Sequence, residues 1–234
     1  IIYLSVKGSI SSGLTGHPAK ETIENKKGDC IDKAIVMATL VKALNIPKLK
    51  VYPVTVMANH AEEMTTEIPV IDGNHAISEV HLYDETKGDT RIFYLDATAS
   101  SYRYPYFRGD DKGIPAVNEI LETIRNIPVP VPEKEMNYYN TNLKITKKGI
   151  ITGTTNGEYT GDYEARLRRL YMYRKGEDQR AQIFQSMVNN MSPKGELINY
   201  KLSDAFDFMK PFELFYEFKL YDFPTMAGDY MIFK

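Results

Sequence analysis

The chain lacks most of the features that would assign a protein to a functional class directly. Its single cysteine rules out a disulfide within the chain, so cysteine usage does not identify a compartment. Its 29 basic and 31 acidic residues leave a net charge of −2, which gives no electrostatic reason to expect a nucleic-acid partner. No apolar run is long enough to cross a bilayer, and no glycine-rich phosphate-binding loop occurs. What remains is a globular protein of 234 residues whose function has to be sought in individual side chains.

The first half of the sequence predicts a helix followed by antiparallel strands. Over residues 30–44, apolar residues recur at helical spacing and extend nearly all round, which is typical of a helix buried in a core. Strands are predicted over residues 50–57, 76–83 and 91–95. Lys87-Gly88-Asp89 predicts a hairpin turn between the last two strands, and Pro53 predicts an edge position for the first. The pattern indicates an α+β domain.

Alternating prolines over residues 127–132 predict an extended linker, because proline neither continues a helix nor fits a central strand. We therefore place a core domain at residues 1–126 and a second domain at residues 133–234. Each part is long enough to form a compact domain of its own.

The second domain is predicted to be β-rich with about one helix. That helix covers residues 177–191, whereas residues 163–173 fit a helix or a strand equally well. A hairpin is expected to turn at Lys148-Gly149. The clearest strand covers residues 212–220, where bulky apolar residues alternate with more polar ones, as in a half-buried strand.

Cys30 lies in Gly28-Asp29-Cys30-Ile31, at the predicted start of the long helix of the first domain. A thiol nucleophile needs a lowered pKa, because the thiolate is the reactive form, and a helix N-terminus stabilises negative charge. The alternative is that the cysteine is a small buried apolar residue. The choice depends on whether the chain also supplies a base and an acid that orients the base.

Four histidines are candidates for the base, namely His17, His60, His75 and His81. His17 and His60 lie in polar segments that are predicted to be loops. His75 and His81 share one face of a predicted strand but lie about 20 Å apart, so they cannot both reach Cys30. We interpret His81 as a packed or surface residue, and this leaves His75, at the beginning of the strand, as the candidate base.

Asp96 is the candidate for the orienting acid, because it directly follows the strand over residues 91–95. In an antiparallel hairpin the start of one strand lies beside the end of the next, and this brings Asp96 next to His75. Taken alone, Asp96 would be read as a cap or turn residue. Beside a histidine, and with a cysteine at a helix start, the catalytic interpretation is favoured.

Three stretches give the chain a resemblance to the transglutaminase-like superfamily, whose catalytic core is papain-like. They are Gly16-His17-Pro18-Ala19-Lys20-Glu21-Thr22-Ile23 leading into Lys27-Gly28-Asp29-Cys30-Ile31-Asp32-Lys33-Ala34, then Asn74-His75-Ala76-Ile77, and Tyr94-Leu95-Asp96-Ala97-Thr98-Ala99. Cys30, His75 and Asp96 follow the order of that family, 45 and 21 residues apart. Over residues 14–118 the chain is most similar to the bacterial branch of predicted cysteine peptidases.

The resemblance implies that Cys30 is the nucleophile, His75 the general base and Asp96 its orienting partner. It also implies a transglutaminase-like core, with a central helix on an antiparallel sheet, followed by a β-rich domain. The expected activity is acyl transfer that cleaves amide or peptide bonds of a protein or peptide substrate through a thioester. We favour water over an amine as acceptor and expect no cofactor and no metal. Many relatives are exported, which implies a periplasmic or extracellular location.

The likeness to the family is incomplete in two respects. The chain begins at Ile1 without a methionine or a signal peptide and ends in Tyr230-Met231-Ile232-Phe233, so we expect both domains to be incomplete. The backbone N–H of Cys30 is one expected oxyanion donor, and the sequence identifies no second. The alternative is therefore a catalytically inactive transglutaminase-like module that serves in binding or surface assembly.

Three further groups of charged residues are interpreted as surface features. A basic stretch with interleaved tyrosines, over residues 166–180, is read as a solvated face rather than a nucleic-acid surface, given the balanced charge. Asp110-Asp111, taken with Asp89, lack the spacing of a metal-binding loop and are read as surface turns. Glu62-Glu63 beside His60 form too short a cluster to predict a metal site.

Overall fold

The computed structural model of the protein describes residues 2–3, 16–58, 73–173 and 176–233. It is a mixed α+β structure with 28% helix and 37% strand, so the predicted α+β class is confirmed. The helices are α1 (Ala19–Asn25), α2 (Cys30–Ala43), α3 (Gly161–Tyr173) and α4 (Glu177–Met191). Among these described helices, none is both long and apolar enough to cross a membrane. The strands are β1 (Ile2–Tyr3), β2 (Lys27–Gly28), β3 (Leu49–Val56), β4 (His75–Asp84), β5 (Asp89–Leu95), β6 (Pro115–Asn118), β7 (Thr123–Asn126), β8 (Asn137–Ile145), β9 (Ile151–Tyr159), β10 (Glu196–Leu202), β11 (Phe212–Leu220), β12 (Thr225–Ala227) and β13 (Tyr230–Ile232).

The chain divides into two compact units, residues 1–130 and residues 131–234. The division falls inside the proline-rich segment over residues 127–132 that the sequence marks as a linker. Cys30, His75 and Asp96 all belong to the first unit, so the candidate site lies within one compact body.

The first unit is built on a five-stranded antiparallel sheet with the order β5-β4-β3-β6-β7, against which α2 packs. β3 is therefore an interior strand, and the edge position predicted from Pro53 is wrong. β3 pairs with β4 along its whole length, but it pairs with β6 only at Thr55 and Val56. Pro53 is tolerated because the pairing with β6 does not extend to it.

Helix α2 is buried along its first half and exposed along its second. Ala34 is 1% exposed, whereas Leu40 is 53% exposed, and Leu44, which caps the helix, is 65% exposed. The expectation of a helix buried on all sides is therefore wrong for its last turns. The apolar pattern of a helix shows which residues are able to be buried. It does not show which neighbouring elements cover each turn.

The short strands β6 and β7 complete the sheet on the side opposite β5 and were not predicted. Each has only four residues, which is too few for an alternating pattern to stand out. β6 contributes Ala116 to an apolar core that it shares with β3, β4 and β5. Its buried members are Val54, Val56, Ile77, Tyr94, Phe107, Ile114, Ala116 and Ile127.

The second unit has a four-stranded antiparallel sheet with the order β10-β11-β9-β8, against which α3 and α4 pack. The predicted strand over residues 212–220 is confirmed, and its alternate residues are buried as expected. The ambiguous residues 163–173 belong to α3. The described part of this unit therefore contains two helices where the sequence predicted about one.

Arg168 corrects the interpretation of the basic stretch as a wholly solvated face. Arg166 and Arg169 are exposed, but Arg168 is fully buried and pairs with Glu164 at 2.8 Å, one helical turn earlier. Because side chains three and four residues apart share a face of a helix, one arginine of a basic run can face inward while its neighbours face water. Residues 174 and 175 of the stretch lie outside the described residues.

Candidate functional site

Cys30 is the first residue of α2, and its helix start is firmly held. Asp29 and Asp32 form a capping box, in which the Asp32 N–H donates to Asp29 Oδ1 at 3.1 Å and the Asp29 N–H donates to Asp32 Oδ2 at 3.0 Å. The main-chain N–H of His17 also donates to Asp32 Oδ1, at 2.7 Å. The free thiol residue is only 5% exposed and packs against Ala76 of β4. The thiol is therefore fixed at the positive end of the helix dipole.

His75 is the first residue of β4 and lies opposite Val56 of β3. Asn74 clamps this strand start, because its side chain accepts a hydrogen bond from the Ala58 N–H at 2.8 Å and donates one to the Ala58 carbonyl at 2.9 Å. Gly73 lets the chain pass close to β3, since a Cβ there would lie 2.8 Å from the Val56 carbonyl oxygen. The backbone on both sides of Asn74 thus sets the position of the imidazole, which is 5% exposed.

Asp96 directly follows β5 and is held by Thr98. The Thr98 N–H and hydroxyl donate to Asp96 Oδ1 at 2.7 and 2.6 Å. The other oxygen, Oδ2, lies 3.3 Å from His75 Nε2, and the carboxylate is fully buried. The Cys30 thiol lies close enough to His75 to be one of the groups that raise the pKa of the imidazole. The structure therefore places Cys30, His75 and Asp96 in one cluster.

The charges of this cluster hold His75 in its protonated form. Burial by itself would lower the pKa of His75, but the contacts with Asp96 and Cys30 and the negative charges of Asp96 and Asp111 raise that pKa to about 10. For the acid Asp96, burial by itself would raise the pKa. The contact with His75 and the hydrogen bonds from Thr98 outweigh burial and lower the pKa of Asp96 below its usual value. An imidazolium–carboxylate pair is thus the stable state near neutral pH.

Asp111 is a further member of the cluster, and the sequence interpretation missed it. It ends a 3-10 turn, Gly109–Asp111, with its carboxylate fully buried and Oδ2 4.0 Å from His75 Nε2. The interpretation of Asp110-Asp111 as surface turns is therefore wrong for Asp111. Burial raises the pKa of Asp111 to about 7, against the opposing charges of His75 and Arg108. No sequence signal separates Asp111 from Asp110, because adjacent residues of one turn differ only in the direction of their side chains.

Several buried polar atoms of the cluster are unsatisfied within the described part of the chain. His75 Nε2, Asp96 Oδ2 and both carboxylate oxygens of Asp111 have no hydrogen-bond partner of good geometry there. Ligand atoms of these residues lie within 4.8 Å of one another, a nitrogen-and-oxygen set of the kind that binds divalent cations. Arg108 counts against a resident cation, because its Nε lies 4.0 Å from Asp96 Oδ2 and its positive charge already faces the acids.

His81 and His17, the other histidines among the described residues, lie outside this cluster. His81 Nε2 lies 2.7 Å from Glu79 Oε1, and the buried Glu79 also accepts hydrogen bonds from Tyr94 and Asn118, so the interpretation of His81 as a packed residue is supported. His17 pairs with Asp32, and that interaction raises its pKa. The remaining candidate, His60, lies outside the described residues, as do Glu62 and Glu63.

Comparison with known proteins does not assign the chain to a family. No protein-family model, curated protein or solved structure matches it significantly. The arrangement of Cys30, His75, Asp96 and Asp111 therefore carries the functional interpretation, together with the resemblance of the three sequence stretches around them.

Proposed function

We propose that the first unit is a transglutaminase-like core that performs thiol-dependent acyl transfer and cleaves amide or peptide bonds through a thioester. The observation that carries this proposal is that His75 lies 3.3 Å from the Asp96 carboxylate and close enough to Cys30, the first residue of a helix, for the thiol to raise its pKa. A cysteine, an imidazole and a carboxylate in this sequence of contacts form the arrangement that activates a thiol and returns its proton to a leaving group.

In the acylation step, the Cys30 thiolate attacks the carbonyl carbon of the substrate and the carbonyl oxygen becomes an oxyanion. The His75 imidazolium then donates its proton to the leaving nitrogen as the carbon–nitrogen bond breaks. The products are a thioester on Cys30, a free amine and a neutral imidazole. Asp96 stabilises the imidazolium before the step and holds the ring in place during it.

In the deacylation step, neutral His75 takes a proton from water, and the resulting hydroxide attacks the thioester carbon. The carbon–sulfur bond breaks, the acyl group leaves as a carboxylic acid, and the thiolate–imidazolium pair is restored. A primary amine in place of water would give transamidation, and we favour water. The first-turn N–H of Cys30 has no intrahelical acceptor and is the proposed donor to the oxyanion.

The acylation step is tested with p-nitrophenyl acetate, a small activated acyl donor. We expect release of p-nitrophenolate and an acetyl adduct on Cys30 that hydroxylamine removes, since thioesters are cleaved by hydroxylamine and lysine amides are not. The adduct is located by peptide mass spectrometry. The amide step is then read as amine release from a mixture of peptidyl p-nitroanilides, with and without an added primary amine.

Two histidine variants make a matched pair for this test. His75→Gln should slow acylation by roughly 10²–10⁴-fold, because it removes the group that takes and returns the proton. His81→Gln, on the same strand but paired with Glu79, should acylate at the wild-type rate. Cys30→Ala should give no adduct that hydroxylamine removes. Equal acylation rates in His75→Gln and His81→Gln would refute the proposal.

One observation favours the alternative of a catalytically inactive binding or assembly module. Cys30 is 5% exposed and the His75 side chain is 5% exposed, so a substrate carbonyl reaches the thiol only after neighbouring groups move. The pH dependence of iodoacetamide labelling at Cys30 separates the two functions. Fast labelling at neutral pH that depends on His75 supports the enzyme, and labelling that behaves as for a simple cysteine peptide supports the module.

A further inference from the structure

Two carboxylates, rather than one, face the imidazole of His75. Asp96 Oδ2 lies 3.3 Å and Asp111 Oδ2 lies 4.0 Å from the same nitrogen, Nε2, and both carboxylates are fully buried. They arrive from different parts of the fold, since Asp96 follows β5 and Asp111 ends the 3-10 turn before β6. A triad of the kind described above accounts for only one of them.

The two acids differ in how they are held. Asp96 Oδ1 accepts two hydrogen bonds from Thr98, which fix its orientation. Neither oxygen of Asp111 has a hydrogen-bond partner of good geometry among the described residues. An unsatisfied buried carboxylate is costly, and it persists where a function or a bound group compensates for it. The imidazole nitrogen Nε2 of His75 lies 4.0 Å from Asp111 Oδ2.

We propose that Asp111 is a positioning residue that, beside Asp96 and at the same nitrogen Nε2, stabilises the imidazolium form of His75. This inference rests on the proposed function, in which His75 carries the proton that Cys30 gives up. With Asp96 alone, the imidazolium has one anionic neighbour; with Asp111 ionised, it has two. The second negative charge favours the thiolate–imidazolium pair over the neutral thiol and imidazole.

Asp111 also gives this stabilisation a dependence on pH. Its pKa of about 7 means that it gains its charge across the neutral range, whereas Asp96 is ionised throughout that range. The thiolate–imidazolium pair should therefore become more populated as the pH rises through about 7. Further charged groups that act on Asp111 or Asp96 are Arg108, Asp110 and Lys33, and Lys112 is the residue that follows Asp111 in the chain.

The positive charge of Arg108 and the negative charge of Asp110 largely cancel in their effect on His75, because the two side chains are paired. Arg108 Nε donates to Asp110 Oδ1 at 2.8 Å, and a second bond joins the two side chains through Nη2. Lys33 is a charged neighbour of Asp96. Burial lowers the pKa of Lys33, and the negative charge of Asp96 acts in the opposite direction. Of the two acids that face His75, Asp111 has a pKa raised to about 7, whereas the pKa of Asp96 is lowered.

The test is the titration of His75, followed by NMR through its imidazole resonances in the full chain. We expect Asp111→Asn to lower the titration midpoint of His75 by roughly 1–2 pH units, because it removes a negative charge within about 4–6 Å. Asp110→Asn, a change at the neighbouring residue, is the matched control and should move it by less. Asp111→Glu, which keeps the charge, should recover most of the wild-type midpoint. Asp111→Ser is read in the same way as Asp111→Asn if the asparagine variant does not fold.

A second readout is the rate of iodoacetamide labelling at Cys30 as a function of pH. The wild-type rate should show a rise near pH 7 that Asp110→Asn retains and Asp111→Asn loses. Identical His75 midpoints in Asp111→Asn and Asp110→Asn would overturn the inference. A lowered midpoint in Asp111→Asn, in a protein that forms no thioester, would instead overturn the proposed function and leave the pairing of Asp111 with His75 intact.

Discussion

Each unit of the protein buries a cluster of charged side chains, and the two clusters differ in how far their polar atoms are satisfied. In the second unit, Arg168 pairs with Glu164, donates to the Ala205 and Lys210 carbonyls at 3.0 and 2.5 Å, and lies over the Phe208 ring. Each of the three guanidinium nitrogens has a hydrogen-bond partner, which is typical of a cluster that holds a loop to a helix.

The His75 cluster of the first unit is built in the opposite way. It combines one imidazole with two carboxylates and leaves four buried atoms without a well-aligned partner among the described residues. It also shifts the pKa values of two of its members by several units, His75 to about 10 and Asp111 to about 7. Unsatisfied buried groups with displaced pKa values mark candidate functional sites, whereas fully satisfied groups mark structural ones.

The largest expected effect is on the chemistry of the His75 cluster. Asp96→Asn should lower the acylation rate of Cys30 by roughly 10²–10⁴-fold, because an amide cannot stabilise the imidazolium and disturbs the orientation of the ring. The rate is measured with p-nitrophenyl acetate. Asp89→Asn, at the exposed opposite end of β5, is the control and should acylate normally. An Asp96→Asn rate within twofold of wild type would contradict a catalytic role for the His75 cluster and make it a structural cluster like that of Arg168.

The next effect is on the stability of the second unit. Arg168→Met should reduce its free energy of unfolding by about 3–5 kcal/mol, because the buried Glu164 loses its partner. Arg169→Met, on the exposed side of the same helix, should change it by at most about 0.5 kcal/mol. Denaturant unfolding gives both values, and acylation of Cys30 provides the contrast, since it should not change. Equal stabilities of the two variants would contradict a structural role for Arg168.

The third prediction is that Asp111→Asn stabilises the first unit at neutral and higher pH. The folded-state pKa of Asp111 is raised from 3.8 to about 7, so the folded protein binds the proton more tightly and loses stability as pH rises between these values. The asparagine variant cannot ionise, so its advantage should grow across this window and reach on the order of 2–4 kcal/mol above it. Urea unfolding at pH 4 and pH 8 measures the change. An advantage that is the same at both pH values would contradict the pKa assignment.

The smallest expected effect is at the residue that orients Asp96. Thr98→Val removes the hydroxyl that donates to Asp96 Oδ1 at 2.6 Å, and it should destabilise the first unit by about 1 kcal/mol and slow acylation by about tenfold. Thr98→Ser keeps the hydroxyl and serves as the control. If the valine variant acylates as fast as the serine variant, the Thr98 N–H alone is sufficient to hold Asp96.

Much of the first unit could be predicted from the sequence, because its signals are local. The helix from Cys30, the strand from His75 and the hairpin before Asp96 each depend on spacing, turn residues and capping within one segment. Antiparallel pairing then brings the strand ends together without further information. The proximity of His75 and Asp96 follows from this topology.

The position of β3 in the sheet and the burial of particular side chains could not be predicted, because they depend on which elements pack against one another in three dimensions. Pro53 indicates that β3 lacks a partner strand on one side, but it does not reveal that β6 pairs with Thr55 and Val56 on that side. Leu40 and Leu44 carry an apolar pattern that the described neighbours do not cover. Asp111 and Arg168 look like solvated charges in the sequence, and only the three-dimensional structure shows that they are buried. The neighbour of Asp111, His75, is distant in the chain, and an i,i+4 pair such as Glu164 and Arg168 has the same sequence pattern on an exposed helix face.

Gly73 has a consequence for how the site tolerates change. Any other residue there would place a Cβ against the Val56 carbonyl and the Thr55 methyl group, so the chain would have to shift just before the strand that carries His75. Position 73 should therefore accept glycine alone in a saturation screen for thiol reactivity, although it contributes no side chain to the chemistry. The position of the His75 imidazole therefore depends partly on the absence of a Cβ atom at residue 73.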